Sequence, residues 1–166
     1  VRGGACVALK GGHDAGGRAN CPLDLDTASR IIEKHGNQVS AFGVSSIFSV
    51  RNPAHEIALR DLIHSLSDKP VTCGHELASS LGAPRRAVTV AFNASLISYI
   101  DRLIRTMQAL LSDYKVTAPL MVVKGDGSLI TAEIALTRPV ETVLSGPAAS
   151  VVGAAFLAQT ENSIVT

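Results

Sequence analysis

The chain has 166 residues, enough for one ordinary domain with a sizeable core. Hydrophobic residues make up 46% of it, which excludes intrinsic disorder, and the net charge of +1 argues against a dedicated nucleic-acid-binding protein. No apolar stretch approaches the roughly 20 residues that a bilayer-spanning helix needs. The composition therefore predicts a soluble globular chain with neither nucleic acid nor a membrane as partner.

The cysteines Cys6, Cys21 and Cys73 are odd in number and lack the tight spacing of a disulfide framework. Since no secretory signal opens the sequence, we expect reduced thiols and a cytoplasmic location. The first residue is Val rather than Met, and the last residues have the composition of a strand. We therefore expect residues 1–166 to form a single α/β domain, a central fragment of a larger protein.

The first half of the sequence alternates between strand and helix patterns. Asp24 and Asp26 are candidate N-caps of a helix that ends near His35, with Gly36 as its stop. Pro53 opens a second helix whose apolar residues recur with a period near 3.6. The other predicted elements are a strand over residues 5–9, a Gly-rich loop over 11–17, a strand over 41–48, and a strand or connection over 71–73.

The second half starts with the strongest helical pattern, over residues 88–111, where apolar residues alternate at spacings of four and three. A strand over 119–124 leads into the turn Gly125-Asp126-Gly127, and a short helix begins at Thr131 and stops before Pro139. The other predicted elements are a strand over 140–144, a helix over 148–159 and a strand from 163. This alternation favours an α/β architecture with one mixed or parallel sheet.

Two segments follow predicted strands and are candidate binding sites. At Ser145-Gly146-Pro147, a proline at the first helical position and small residues would let an anion approach exposed backbone N–H groups. An ordinary cap, with Ser before the proline, explains the same residues. In Gly125-Asp126-Gly127, the carboxylate could hold a metal or orient a substrate group. A plain β-turn is the alternative, because Asp-Gly is a common turn dipeptide.

Histidines precede acidic residues at three places, His13, His55 and His75. An imidazole beside a carboxylate can act as a base or a metal ligand, but sequence neighbours on a helix do not face the same ligand. Cys73 and His75 offer two kinds of zinc ligand without a second pair, so we expect no metal site.

Five phrases occur in a fixed order along the chain, and the last of them is the most specific. They are Gly11-Gly12-His13-Asp14, Arg51-Asn52-Pro53-Ala54-His55-Glu56, Phe92-Asn93-Ala94, Gly125-Asp126-Gly127 and residues 138–149 (RPVETVLSGPAA). Together they resemble the hydantoinase A/oxoprolinase family, the ATP-dependent ring-opening amidohydrolases, which also includes subunits of acetone and acetophenone carboxylases. Ser128 and Ser150 depart from the pattern, because many relatives have glycine there.

The resemblance implies an incomplete actin-like ATPase domain of the ribonuclease-H-like superfamily, with a mixed sheet and packed helices. The implied parent uses ATP and Mg²⁺ to phosphorylate the lactam oxygen of a small cyclic amide, such as a hydantoin or oxoproline, before water opens the ring. Neither of the family's two phosphate loops is present, so we expect no cofactor on this chain and no activity from it alone. The alternatives are an ATP-dependent ketone carboxylase subunit and a non-catalytic interaction domain.

The resemblance also implies a hydantoinase B-type subunit or domain as a partner. The candidate residues for substrate or phosphate are Gly125, Asp126, Gly127, Ser145, Gly146 and Pro147, and we expect the two segments to lie close together. Asp126 and His13 are the candidate catalytic groups. His55 and Asn93 are further candidates, named because they match the family's phrases.

Overall fold

The computed structural model describes residues 4–159, which contain six α-helices, four short strands and two 3₁₀ segments. The chain divides into two compact units, Val1–Ser98 and Tyr99–Thr166. The elements are, in order, α1 (Leu25–His35), a 3₁₀ segment (Gly36–Gln38), β1 (Phe42–Val44), α2 (Ala54–Leu66), β2 (Val71–Cys73), α3 (Gly74–Leu77), α4 (Ala83–Asp113), β3 (Met121–Val123), β4 (Leu129–Thr131), α5 (Ala132–Thr137), a second 3₁₀ segment (Pro139–Thr142) and α6 (Ser145–Ala158).

The mixture of helices and strands confirms the α/β prediction, but the sheet differs from the expected one. In place of one mixed sheet, the described residues form two separate two-stranded sheets, β1 with β2 and β3 with β4. The first pair is parallel and the second antiparallel. Each strand has only three residues, and a tight turn joins β3 directly to β4. The prediction of one domain over residues 1–166 stays a prediction.

The core of the first unit lies between the parallel strands and the helices α1 and α2. Parallel strands need a crossover connection, and α2 supplies it between β1 and β2. The register pairs Val44, at the end of β1, with Cys73, at the end of β2. The residues that follow β1 and those that follow β2 therefore lie at the same edge of the sheet. The buried core residues are Ile32, Val44, Ile63 and Cys73.

The first helix, α1, begins at a side-chain cap and ends at His35, as predicted. The Asp24 carboxylate accepts the N–H of Thr27 at 3.0 Å, which confirms Asp24 as the N-cap. Beyond His35 the chain continues at Gly36 into the 3₁₀ segment without a left-handed residue. Hydrogen bonds from the backbone and side chain of Thr27 hold the pKa of Asp24 below its ordinary value of 3.8.

The cap predicts an acid-sensitive contribution to stability. Because the pKa of Asp24 is lowered in the folded state, its stabilisation is present at neutral pH and is lost as pH falls through that lowered pKa. Asp24→Ala should lower the unfolding midpoint at neutral pH, whereas Asp24→Asn should keep the cap and weaken its acid dependence. Thermal unfolding from neutral to acidic pH measures both, with Asp26→Asn as the matched loss of charge. An unchanged midpoint in Asp24→Ala would contradict the capping role.

The second unit is built around the β3–β4 hairpin and α5. Met121 pairs with Thr131 in the antiparallel register. The Thr131 hydroxyl accepts the N–H of Ile134, so α5 starts where the sequence predicts and ends before Pro139. The core comprises the buried residues Ile104, Ala132 and Ala135, with Ile100, Leu120, Val122, Ile130 and Leu136 against them.

The longest helix, α4, contains the predicted helix over residues 88–111 and extends beyond both of its ends. Judged by length and composition alone, α4 is long and apolar enough to cross a membrane, and it is the one such helix in residues 4–159. The expectation that no apolar stretch is this long is therefore wrong. However, α4 also contributes Val90, Ala94 and Ile104 to the buried interior and carries the buried polar residues Arg86 and Asn93. The core helices of globular proteins pass the same test of length and composition, so we do not assign α4 as a membrane-spanning helix.

Two strands predicted from composition do not occur in the described residues. Residues 5–8 are exposed and irregular. Residues 140–144 belong to the second 3₁₀ segment and the turn after it, where Glu141 N–H donates to Arg138 O at 3.0 Å. Such a short-range bond is incompatible with extended backbone. The strand expected from residue 163 lies outside the described residues, and α6 begins three residues before the helix predicted over 148–159.

Candidate functional site

The turn between β3 and β4 has the geometry that its glycine dictates. The N–H of Gly127 donates to Lys124 O at 3.0 Å, and the N–H of Lys124 donates to Ser128 O at 2.8 Å. Gly127 has a φ of +83°, in the left-handed region that glycine adopts without a steric penalty. The predicted turn at Gly125-Asp126-Gly127 is confirmed.

The Asp126 carboxylate holds this turn together. Its Oδ1 accepts the hydroxyl of Ser128 at 2.6 Å and the N–H of Ser128 at 3.0 Å, and Lys124 Nζ lies 3.3 Å from Oδ2. The hydrogen bonds from Ser128 lower the pKa of Asp126 to about 2. The side chain is ionised at neutral pH and 61% exposed, so it can accept an N–H or hold a cation. A pKa this low makes Asp126 a weak general base.

Both glycines of the turn lie against the segment that forms α6 and its approach. A Cβ on Gly125 would lie 2.4 Å from Val143 O, closer than real Cβ contacts allow. A Cβ on Gly127 would lie 2.8 Å from Val152 Cγ2 and 4.0 Å from Ala148 O. The structure thus places the turn beside the start of α6, which the sequence analysis expected. Ligand binding at either segment stays a prediction.

The N-terminus of α6 has no side-chain cap. Leu144 occupies the cap position with a φ of +62°, Ser145 is the first helical residue and Pro147 is the third. The alternative in which Ser145 is an ordinary cap ahead of a first-position proline is therefore wrong, because the left-handed Leu144 turns the chain into the helix two residues earlier. The N–H groups of Ser145 and Gly146 carry the positive end of the helix dipole, an arrangement that suits an anion or a polarised carbonyl oxygen.

The imidazoles of His13 and His55 lie against each other in the first unit, with ring centroids 4.2 Å apart. His13 is 1% exposed, and its Nδ1 has no hydrogen-bond partner. His55 Nδ1 accepts the N–H of Gly12 at 2.9 Å, and Asn52 Nδ2 donates to Gly17 O at 2.9 Å. Burial, together with His13, lowers the pKa of His55. His55 is therefore a neutral acceptor that helps fix the Gly-rich loop on the start of α2.

Asn93 is fully buried inside the first unit. Its Nδ2 donates to Thr72 Oγ1 at 3.0 Å, which ties α4 to β2. This contact gives Asn93 a role in holding the fold. Asn93, His13 and His55 all belong to the first unit, whereas Asp126 and Ser145 belong to the second.

A third arrangement, which the sequence analysis did not predict, joins Glu56, Cys73 and His75. Glu56 has no exposed surface, and its Oε1 accepts the N–H of Ser46 at 2.7 Å. Its Oε2 lies 2.7 Å from His75 Nδ1 and accepts the N–H of His75 at 2.9 Å. The thiol of Cys73 lies 3.8 Å from the backbone oxygen of Glu56. Burial, Glu76 and Glu56 together raise the pKa of Cys73 to about 12.

The position of Glu56 explains why this cluster was missed. Glu56 follows His55 in the sequence, but the helix directs the two side chains to different partners. The parallel pairing of β1 and β2 brings the residues after both strands to one edge of the sheet, where Ser46 and His75 meet Glu56. The sequence feature that could have revealed the cluster is the start of a buried helix next to the carboxyl ends of two adjacent strands.

The described residues thus define a mixed α/β protein with a glycine turn lying beside a helix N-terminus. Residues 86–166 match the family described as Hydantoinase/oxoprolinase. The chain is 30% identical over 131 residues to caprolactamase subunit alpha of Pseudomonas jessenii, covering 78% of this chain and 19% of that protein. Over residues 86–166 the chain belongs to the hydantoinase/oxoprolinase family.

Other relatives widen this comparison. The acetophenone carboxylase gamma subunit of Aromatoleum aromaticum is 30% identical over 155 residues, covering 87% of this chain and 20% of that protein. The crystal structure of the ATP-dependent caprolactamase of Pseudomonas jessenii superposes with a TM-score of 0.83 at 28% identity, over 91% of this chain and 22% of that one. Nucleotide-free acetone carboxylase gives a TM-score of 0.73 at 19% identity with the same coverage, a likeness of fold. The chain spans about a fifth of the length of the curated relatives.

Proposed function

We propose that this chain is a central part of an ATP-dependent enzyme that opens a small cyclic amide. The parent protein would transfer the γ-phosphoryl group of ATP to the lactam oxygen and release ADP. Water would then attack the activated carbon, phosphate would leave, and the ring would open as its C–N bond breaks. The observation that carries the proposal is the likeness to the ATP-dependent caprolactamase, with a TM-score of 0.83 over 91% of the chain. We also propose the actin-like, ribonuclease-H-like fold for the complete ATPase domain.

In this proposal, the described residues contribute one corner of the binding site in the second unit. The N–H groups of Ser145 and Gly146 would face a phosphate or the polarised amide oxygen. The exposed, ionised carboxylate of Asp126 fits Mg²⁺, which prefers oxygen ligands, and equally fits a substrate N–H. Bound Mg²⁺ would supply charge neutralisation for the phosphates.

This corner predicts specific losses of activity in the parent enzyme. Asp126→Asn should lower turnover by about 10- to 100-fold. Ser145→Ala keeps the backbone N–H but removes the hydroxyl, which we propose contacts the same anion, and it should lower turnover by about tenfold, the value of one hydrogen bond to a charged group. Asp113→Asn and Ser112→Ala, two exposed positions at the end of α4, are the matched controls. Steady-state kinetics of each variant, with unfolding midpoints to exclude misfolding, measures the effect. Equal activity of the site variants and their controls would refute the assignment.

A partner is the second component of the proposal. The relatives named caprolactamase subunit alpha and acetophenone carboxylase gamma subunit are parts of multi-subunit enzymes, and we propose a hydantoinase B-type subunit or domain as the partner here. In α6 no residue is buried, although the helix is apolar on every side. Such a helix is stable only when other protein covers it. Its exposed apolar residues include Val151, Val152, Phe156 and Leu157.

An ATP-dependent ketone carboxylase is the second candidate. The observation that favours it is the 30% identity to the acetophenone carboxylase gamma subunit, which extends over 87% of the chain. Both candidate enzymes use ATP to activate a carbonyl oxygen. They differ in the substrate, which is a cyclic amide in the first and a ketone in the second. A cytoplasmic location is proposed for either one, since Cys6, Cys21 and Cys73 are all unpaired.

Substrate-dependent ATP turnover by the full-length parent, assembled with its partner, separates the candidates. Hydantoin, oxoproline or caprolactam should stimulate ATP hydrolysis and yield the ring-opened acid. Stimulation only by a ketone with bicarbonate would instead establish the carboxylase. If neither the cyclic amides nor the ketones stimulated ATP hydrolysis, the remaining alternative would be a non-catalytic interaction domain. The isolated 166-residue chain should show no turnover, and turnover by it would disprove the proposal that it is an incomplete part of the enzyme.

A further inference from the structure

We propose that Glu56, Cys73 and His75 form a binding site for one zinc ion in the first unit, independently of the proposed activity. Among residues 4–159, they are the one group of three His, Cys, Asp or Glu side chains whose ligand atoms all lie within 4.8 Å of one another. A thiolate sulfur, an imidazole nitrogen and a carboxylate oxygen are the three donors that proteins use for Zn²⁺. The mixed set favours zinc over Mg²⁺ or Ca²⁺, which take oxygen ligands.

Three separate backbone elements hold the donors in place. Cys73 ends β2, His75 lies in α3 directly after it, and Glu56 lies in the first turn of α2. The N–H of Ser46 fixes Oε1 of Glu56, so that Oε2 is the oxygen turned to His75. Cys73 and Glu56 are buried, which limits the rotamers that either side chain can adopt. The donors are therefore largely oriented before any ion arrives, as a tight metal site requires.

Outer contacts support the same geometry. Glu76 Oε2 accepts the N–H of Cys73 at 3.4 Å, and Arg60 Nη1 pairs with Glu76 Oε1 at 3.2 Å. These contacts anchor the backbone that carries the sulfur. In zinc proteins, such second-layer partners orient the ligands and contribute to affinity.

Zinc entry requires a small adjustment. Ligand atoms around a tetrahedral zinc lie about 3.5 Å apart. His75 Nδ1 and Glu56 Oε2 are 2.7 Å apart, so the two atoms must separate by roughly 1 Å. The side chain of His75 is 19% exposed and can rotate at the surface, which gives the ion a route from solvent. Three protein donors leave the fourth position to water.

The proton balance of binding is simple. The thiol of Cys73 gives its proton to solvent and the sulfur binds the metal as a thiolate. In the free chain the Nδ1–H of His75 donates to Glu56 Oε2; on metal binding this proton passes through solvent to Nε2, and Nδ1 offers its lone pair to the metal. Binding of one Zn²⁺ therefore releases one proton, and affinity falls as pH is lowered.

Cobalt titration of the purified 166-residue chain tests the site. Co²⁺ should bind with one-to-one stoichiometry and give thiolate-to-cobalt charge-transfer absorption in the near ultraviolet, which Zn²⁺ then abolishes by displacement. Cys73→Ser should remove this absorption, and His75→Gln should weaken Zn²⁺ binding by about 100-fold or more. Cys21→Ser and Cys6→Ser, which remove the other two thiols, should retain the absorption.

Zinc X-ray absorption on the wild-type chain makes the test independent of the folding of any variant. We expect one sulfur per zinc, together with nitrogen and oxygen ligands. Zinc without a sulfur ligand, a charge-transfer band that survives in Cys73→Ser, or no binding of Co²⁺ to the wild-type chain would each overturn the proposal.

Discussion

Gly125→Ala should destabilise the second unit by about 2–3 kcal/mol. A Cβ at this position would lie 2.4 Å from the backbone oxygen of Val143, which cannot rotate away as a side chain would. Relief of the clash moves the turn and lengthens the hydrogen bond from Gly125 N–H to Glu141 O, now 2.8 Å. The substitution therefore adds overpacking to the loss of a hydrogen bond.

Hydrogen exchange followed by peptide mass spectrometry measures this effect locally. Peptides from residues 99–159 of Gly125→Ala should exchange faster, because opening of the second unit becomes more frequent. Gly153→Ala is the matched control, because Gly153 lies inside α6 and a Cβ there would meet nothing within 4 Å. That variant should be stabilised by about 0.5–1 kcal/mol, because alanine favours the helix. If both variants behaved alike, the close approach of Gly125 to Val143 would be refuted.

Helices and caps could be predicted because their signals are local. Asp24 caps α1, α2 follows Pro53, and Thr131 caps α5, each from residues within one turn of the helix start. The strands were harder, because a strand is defined by its partner. Residues 140–144 are rich in Val and Leu, yet they lie in a 3₁₀ segment and the turn after it. The strand β4 is only three residues long and runs directly into α5, so composition does not separate it from the helix that follows.

The candidate site was predictable where residues adjacent in sequence form it. The turn at Gly125-Asp126-Gly127 depends on a glycine with positive φ, and Asp-Gly predicts such a turn directly. The start of α6 at Ser145, with Pro147 third in the helix, was not predicted, because nothing in the side chain of Leu144 indicates its left-handed conformation. The cluster of Glu56 and His75 depends on the pairing of two strands, a long-range contact that no local pattern specifies.

Glu56→Ala should destabilise the first unit by about 3 kcal/mol or more. The carboxylate accepts the backbone N–H groups of Ser46 and His75, and it contacts the imidazole of His75. Truncation removes all of these partners at once, in a place where Glu56 itself has no exposed surface. Ser46 and His75 are half-buried, and each N–H group left there without an acceptor costs up to about 1–3 kcal/mol, so their loss outweighs the gain from no longer burying a charge.

Glu56→Gln and Glu33→Ala complete the test. Glutamine keeps the size of the side chain but offers one oxygen and one N–H₂ group, which must face the N–H of either Ser46 or His75; it should therefore fall between wild type and Glu56→Ala. Glu33 is exposed on α1, and Glu33→Ala should change the free energy of unfolding by less than about 0.5 kcal/mol. Urea unfolding gives the three values, and hydrogen exchange should locate the loss in peptides from residues 42–77. If Glu56→Ala were as stable as Glu33→Ala, the carboxylate would not be holding the two strand ends together.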